Sequence, residues 1–420
     1  MKHLIQLASR SAWNRRLTLG LTLAAIAFST LLLLGVERLR QDARENFALS
    51  VSGTDLIIGA RTSSVQLLLH AIFHIGATTT NMRWSSYQEL STHPLVAWTI
   101  PITLGDSFHG YPVLGTTSAY FEHFQYGHKQ ALQFNTGAPF KQLFEVVLGA
   151  QAAAQLQLRV GAQITLQHGS GDLAHAEHAD KPFTVTGILA PTGTPVDRTI
   201  HIPIEAIEAI HLDWQGGAPI PGVSISPEHV RKFDLTPKTI TAILVGLKQR
   251  AAVFRMQRWV NTYPADALIG IMPALALDEL WQVVSVVERL LLAVSTMVVI
   301  VGLIGLLAVI LASLNERRRE LAILRSVGAS PRDLFILLTL EGLGITVVGA
   351  LSGVALLTLL TISLSPWLQS HYGLVITLRW LNMNEIALVI GIISIGLLAS
   401  IIPGYRAYRM SLADGLTPRL

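Results

Sequence analysis

The chain contains no cysteine. Disulfides, thiolate metal sites and thiol nucleophiles are excluded together. Charge is scarce too: 14% of the residues are Asp, Glu, Lys or Arg, against roughly 25% in an average soluble domain. No Gly-x-x-x-x-Gly-Lys-Ser/Thr stretch occurs, nor any Gly-Lys pair, so a phosphate-cradling loop of that kind is absent. No Ser-His-Asp order and no paired-carboxylate site stands out. The basic residues flank apolar stretches, which argues against nucleic acid as a partner.

What the 420 residues do hold is apolar surface: 51% are hydrophobic and the mean hydropathy is +0.48. Four runs are long enough to cross a bilayer: Leu17–Val36, Leu290–Leu314, Leu334–Leu364 with the lone charge Glu341, and Ile386–Ile402, which Pro403 is expected to stop. The first run is too long for a signal-peptide core, and Glu37-Arg38-Leu39-Arg40 follows it in place of a small-residue cleavage site. An uncleaved anchor is expected there.

Formal charge sums to +4, 31 basic against 27 acidic residues, and its distribution sets orientation. Lys2, Arg10, Arg15 and Arg16 precede the first run. Arg317, Arg318, Arg319, Arg325 and Arg332 lie between the second and third, and Arg406, Arg409 and Arg419 follow the fourth. The loop Ser365–Glu385 carries only Arg379. The positive-inside rule then places both termini and the loop between spans two and three in the cytoplasm. Residues 37–289 would lie outside, in a bacterial periplasm. A chain of that length buries a core of its own.

Residues 37–289 show a mixed pattern. Strands are expected at Leu95–Leu104, Ala162–Gln167, Phe183–Leu189, Ile240–Leu247 and Leu268–Ile271. Helices are expected at Ala150–Leu158, Ile204–Ile210 and Lys248–Asn261, and one from near Ala274 runs unbroken into span two past Glu279 and Glu288. The fold class is four transmembrane helices with a large mixed α+β domain inserted between helices 1 and 2. The expected segments are 1–16 (amphipathic lead-in helix), 17–36, 37–289, 290–314, 315–333 (cytoplasmic helix loop), 334–364, 365–385, 386–403 and 404–420 (tail).

The stretch Asn315–Leu334 is the most informative. Leu321, Leu324 and Val327 fall on one narrow helical stripe, and Glu316, Arg317, Arg318, Arg319, Glu320 and Arg325 occupy the rest. Gly328 is placed to end the helix, and Ser330-Pro331 reads as an N-cap and N1 pair opening span three. This stretch resembles the cytoplasmic loop of MacB/FtsX-type ABC transporter permeases. Ile402-Pro403-Gly404-Tyr405-Arg406-Ala407-Tyr408-Arg409 and the residues after it are similar to that family's closing motif, departing at Gly404, Leu412 and Gly415. Val147-Leu148-Gly149, Leu158-Arg159-Val160-Gly161 and Phe183-Thr-Val-Thr-Gly-Ile-Leu189 resemble its periplasmic core, and Leu4–Arg16 its lead-in helix.

The resemblance implies a stand-alone permease subunit, LolC/LolE-like in architecture, that works as a dimer with a second copy or a paralogue. ATP and Mg would be bound by two copies of a separate ATP-binding subunit; the chain has no Leu-Ser-Gly-Gly-Gln-like signature and no cofactor is expected in it. On this reading Glu316, Arg317, Arg318, Arg319, Glu320, Leu321, Leu324, Arg325, Val327 and Gly328 contact the ATPase. The outer domain would move with nucleotide closure and handle an amphiphilic cargo: a lipoprotein, a peptide or a drug-like compound. Partners would include a periplasmic adaptor or lipoprotein and membrane lipid.

Three further groups are candidates. Glu341 within span three, with Gly342, Gly344, Gly349 and Gly353, is expected to serve close helix packing across a dimer or against span two. His168, His175 and His178, with Asp172, Glu177 and Asp180, form a cluster of residue types that suit zinc, or else a solvated hairpin loop. His70 and His74 stand at i, i+4 on an apolar helix over Val65–Ile75 and are expected to be core or hydrogen-bonded residues more than ligands. Two alternatives to export stay open: metal-linked uptake or sensing, and an FtsX-like scaffold that controls periplasmic enzymes.

Overall fold

The structure, a computed structural model, describes residues 16–50, 52–76, 80–168, 180–215, 218–220, 225–316, 318–372 and 378–409. The chain divides into two compact units, residues 1–42, 285–367 and 376–420 in one and 43–284 with 368–375 in the other.

The second unit is built on an 11-stranded mixed sheet. Its strands are β1 (Leu56–Ala60), β2 (Val96–Phe108), β3 (Tyr111–Thr116), β4 (Phe134–Gly137), β5 (Glu145–Leu148), β6 (Gln163–Ile164), β7 (Gln167–His168), β8 (Phe183–Leu189), β9 (Ile200–Pro203), β10 (Ala242–Leu247) and β11 (Leu268–Ile271). The order is β11-β1-β10-β2-β3-β9-β5-β8-β4, with β7 paired to β2 and β6 to β8. Two of the pairings, β8 with β5 and β9 with β3, are parallel. β10 is buried at every position, as its run Ala-Ile-Leu-Val-Gly-Leu demands, whereas β8 alternates buried and half-buried residues because one face is partly open. Three apolar clusters pack the unit, around Ile100 and Leu114, around Val146 and Phe183, and around Ile243 and Met256.

Phe183–Leu189 and Leu268–Ile271 fold as strands at the expected residues. Lys248–Asn261 splits into a 3-10 turn, Arg250–Ala252, and a helix, Val253–Asn261. Ala162–Gln167 splits into β6 and β7, and its tail pairs with β2, not with β8. The short strands β3, β4, β5 and β9 carry no alternation long enough to read locally; the pairing itself makes them strands.

Among the described residues four helices are long and apolar enough to cross a membrane. They are α1 (Arg16–Leu49), α2 (Pro273–Glu316), α3 (Pro331–Tyr372) and α4 (Met383–Arg409), each longer than its apolar run. Ile26, Leu33 and Leu34 of α1 pack with Leu303, Leu306 and Ile310 of α2, Ala350 and Leu357 of α3, and Val389 and Ile392 of α4. Pro403 does not stop α4, as the sequence suggested; the helix continues to Arg409 with Pro403 buried inside it. A proline removes one helix hydrogen bond, and packing offsets that loss here, since Gly404 sits against Thr339 and Phe335 of α3.

Candidate functional site

Between α2 and α3 the chain forms a short helix, Arg318–Ser326. Gly328 ends it at φ +109°, a conformation that favours glycine. The next helix is opened by a reciprocal cap: Ser330 N–H and Oγ–H donate to Asp333 at 2.8 and 2.7 Å, while Asp333 N–H donates to Ser330 Oγ at 3.3 Å. Pro331 is the first residue of α3, as its fixed φ suits.

The expected apolar stripe divides. Leu321 is 4% exposed and packs with Leu314, Leu334, Leu338 and Ala407 of the chain's own bundle, and Leu324 lies half-buried beside it. Val327, at 83%, and Ile323, at 60%, face outward. The helix is anchored by one edge and offers the other. Ile323 was missed because it lies off the stripe. Arg325 is half-buried, and Glu316, Arg318, Arg319 and Glu320 lie on helical backbone. Arg317 is outside the described residues.

The glycines of α3 differ in role. A Cβ at Gly353 would meet Ala27 O and Thr30 at 2.6 Å, and one at Gly349 would meet Ile26 at 2.8 Å, so both admit α1. A Cβ at Gly342 would run into Ser400 of α4 and meet Ile310 of α2 at 3.0 Å, while one at Gly344 would meet nothing within 4 Å. Within the chain the close partner of Gly349 and Gly353 is α1, a helix that the expectation of span two or a second copy did not name, while Gly342 faces α4 and span two. Glu341 is half-buried and has a polar partner.

A buried charge cluster went unread in the sequence. Arg38 on α1 donates to Glu385 on α4, Nε to Oε1 at 3.0 Å and Nη2 to Oε2 at 3.2 Å. Glu385 also accepts from Asn382 N–H, and Asn382 Oδ1 accepts from Glu385 N–H, a cap at the start of α4. Arg379 reaches Asp42 at 3.2 Å and Gln41 at 3.1 Å. Glu37 holds Arg40 at 2.7 Å. Charged residues just past an apolar run read as a solvated flank; nothing local marks them as partners of a segment more than three hundred residues away.

The histidines separate as well. His70 Nδ1–H donates to Gly76 O at 3.0 Å. His74 leaves the helix: Ser64–Phe73 ends before it, and His74 caps that helix in the left-handed region at φ 55°. The expected i, i+4 face is therefore not formed. His74 Nδ1 instead meets Thr199 Oγ1 at 2.9 Å. His201, fully buried on β9, lies against the rings of Tyr120 and Phe121. Burial holds the His74 imidazole down to about 3, with the neighbouring His201 and His70 adding to the effect, and holds His201 down to about 4. Both are neutral at neutral pH, His201 fully buried and His74 half-buried.

His175, His178, Asp172 and Glu177 lie outside the described residues, and of His168 the strand backbone alone is placed, paired with Asp106. Asp180 is engaged by the fully buried Lys181, whose Nζ donates to it at 2.8 Å and to both carboxylate oxygens of Asp213 at 2.7 Å. Among the described residues no group of three or more His, Cys, Asp or Glu could hold a metal ion.

The profile of the MacB-like periplasmic core domain matches residues 18–260, more than half of the chain, and that of the FtsX-like permease C-terminal region matches residues 292–412. The lipoprotein-releasing system transmembrane protein LolE of Haemophilus influenzae is 21% identical over 65% of this chain and 64% of its own length. The corresponding LolC of Neisseria meningitidis is 22% identical over 50% of this chain and 46% of its own. The match thus spans less than two thirds of either relative. The periplasmic region of MacB from Actinobacillus actinomycetemcomitans aligns over 57% of this chain and 96% of that one, at 14% identity and a TM-score of 0.35. With both profiles matched in the order of the fold, the chain belongs to the MacB/FtsX-type ABC transporter permeases.

Proposed function

We propose that this chain is the permease subunit of a bacterial inner-membrane ABC machine whose ATP hydrolysis occurs on a separate subunit. The observation that carries the reading is the short helix Arg318–Ser326, fastened by Leu321 to its own bundle while Ile323 and Val327 are offered outward. A helix held in this way passes a push from a docked protein into α2 and α3. Both termini and this hairpin are cytoplasmic on the distribution of Arg and Lys, and the sheet domain is periplasmic. The chain acts as one of a pair, with an identical copy or a paralogue. Closure of the ATPase pair moves the outer domains, which extract or export an amphiphilic cargo. The lipoprotein-releasing role in the names of the two relatives supports a lipid-bearing polypeptide as that cargo.

The test is affinity purification of the tagged chain from native membranes in mild detergent, followed by mass spectrometry. Recovery of an ABC ATPase, lost when Val327 and Ile323 are both changed to Asp, supports the reading. Absence of any ATPase with nucleotide trapped removes the motor and overturns it. The periplasmic proteins recovered alongside separate cargo export from control of an external enzyme.

A further inference from the structure

Leu378, Trp380 and Met383 follow one another closely at the start of α4, and they are 63%, 96% and 83% exposed. The residues between them are fastened from behind. Arg379 is drawn inward to Asp42 at 3.2 Å and to Gln41 at 3.1 Å, both on α1. Asn382 donates through its side-chain amide to Gln41 and accepts from Glu385 N–H at 2.8 Å. Exposure alternates over Leu378, Arg379 and Trp380, as along an extended segment, so holding Arg379 inward turns its two neighbours outward. The charges of this stretch, Arg379 and Glu385, are both taken up on the inner side, by Asp42 and Arg38. The outward side carries none. We propose that Leu378, Trp380 and Met383 form an interfacial anchor seated in the headgroup and upper acyl region of the bilayer at this end of α4.

A single exposed apolar side chain is ordinary. Three on a segment tied down by polar contacts, with no charge beside them, call for an apolar partner, and lipid is the one at hand. The same side continues along α4 into Ile386 and Ile390, 39% and 57% exposed, within the helix apolar enough to cross the membrane. Trp367, near the end of α3, is 49% exposed as well. The depth agrees. Arg38 and Asp42 follow the apolar run of α1, and Glu385 stands just before that of α4, so their level is the edge of the hydrocarbon. Tryptophan is enriched at that depth, where its ring meets acyl chains and its N–H meets water. Seated there, the anchor sets the height at which α4 enters the bilayer.

The inference rests on the membrane placement of α4 and not on the identity of the motor or the cargo. The chain has no cysteine, so single cysteines report without background. Trp380→Cys, Met383→Cys, Ile390→Cys and, on the exposed surface of the sheet domain, Lys232→Cys are each spin-labelled in the full chain. They are reconstituted into vesicles of phosphatidylethanolamine and phosphatidylglycerol. Access to oxygen, which partitions into lipid, is compared with access to an aqueous nickel chelate. Labels replacing Trp380 and Met383 should favour oxygen, less strongly than the label replacing Ile390, while the one replacing Lys232 favours nickel. The native ring supplies a second measurement. Bromines high on the acyl chains should quench the tryptophan fluorescence of the wild-type chain more than that of Trp380→Phe, and bromines at the chain ends should quench the two alike. Matched thermal unfolding certifies each variant as folded. Nickel access at Trp380→Cys and Met383→Cys equal to that at Lys232→Cys overturns the anchor; the membrane placement of α4 stands if Ile390→Cys still favours oxygen and falls with the anchor if it does not. Low access to both reagents shows a contact with a second copy or another protein and also overturns the anchor, as does quenching unchanged in Trp380→Phe.

Discussion

Arg38 and Glu385, 347 positions apart in the chain, meet as a bidentate pair that ties α1 to α4, with side chains 4% and 0% exposed. Removing one partner of such a pair leaves a desolvated charge and costs about 3–5 kcal/mol, whereas replacing both by apolar groups is often neutral. Glu385→Leu and Arg38→Met are each expected to lower the thermal unfolding temperature of the detergent-solubilised chain. The double variant should recover most of the loss. A double variant that loses the sum of the two single losses would show that the pair contributes nothing as a pair.

The two edges of the hairpin helix predict opposite behaviour. Leu321→Ala empties a buried site and should destabilise the chain by about 2–5 kcal/mol. Val327→Asp lies on an open surface, where a substitution stays within about 0.5 kcal/mol. It should leave unfolding unchanged and abolish stimulated ATP hydrolysis by the purified complex. Loss of stability in Val327→Asp would place that side chain in a contact within the fold.

The glycines of α3 provide a contrast within one helix. Gly353→Leu drives a side chain into Ala27 O and Thr30 of α1, while Gly344→Leu meets open space. Overpacking of this kind costs about 1–3 kcal/mol or more. Unfolding temperature should therefore fall for the first and hold for the second. A loss of pairing between copies in Gly344→Leu, seen by cross-linking in membranes, would assign that open face to the dimer.

His201 and His74 make stability fall in acid. His201 has a folded pKa of about 4 and His74 of about 3, below the unfolded value of about 6.5. The unfolded chain therefore binds more protons than the folded one in that interval. Stability is complete above about pH 6.5 and declines as pH falls towards 4. Thermal unfolding followed by tryptophan fluorescence between pH 7.5 and 5 should show the decline, and His201→Leu should make it shallower. An unchanged slope in a folded His201→Leu variant would assign the acid sensitivity to other groups.

Several features were legible in the chain because they are local. Four apolar runs, the Gly328 stop, the Ser330-Pro331 start and the outward Val327 each depend on hydropathy or backbone preference within a few residues. The insertion of a mixed domain between the first two spans follows from composition and period alone. Even the family was readable from the arginine-rich hairpin and the closing motif, because those strings are contiguous.

Tertiary structure alone decided which distant groups meet. No short-range signal tells Arg38 to seek Glu385, or Gly349 and Gly353 to receive α1. Leu321 turned inward while Val327 stayed out because a bundle can cover only one edge of a short helix. His74 and His201 approach through a sheet whose strands come from separate parts of the chain, and His74 leaves its helix to reach Thr199. Partner choice is set by packing and by the penalty for burying a charge without a counter-charge, and both act only once the chain has closed upon itself.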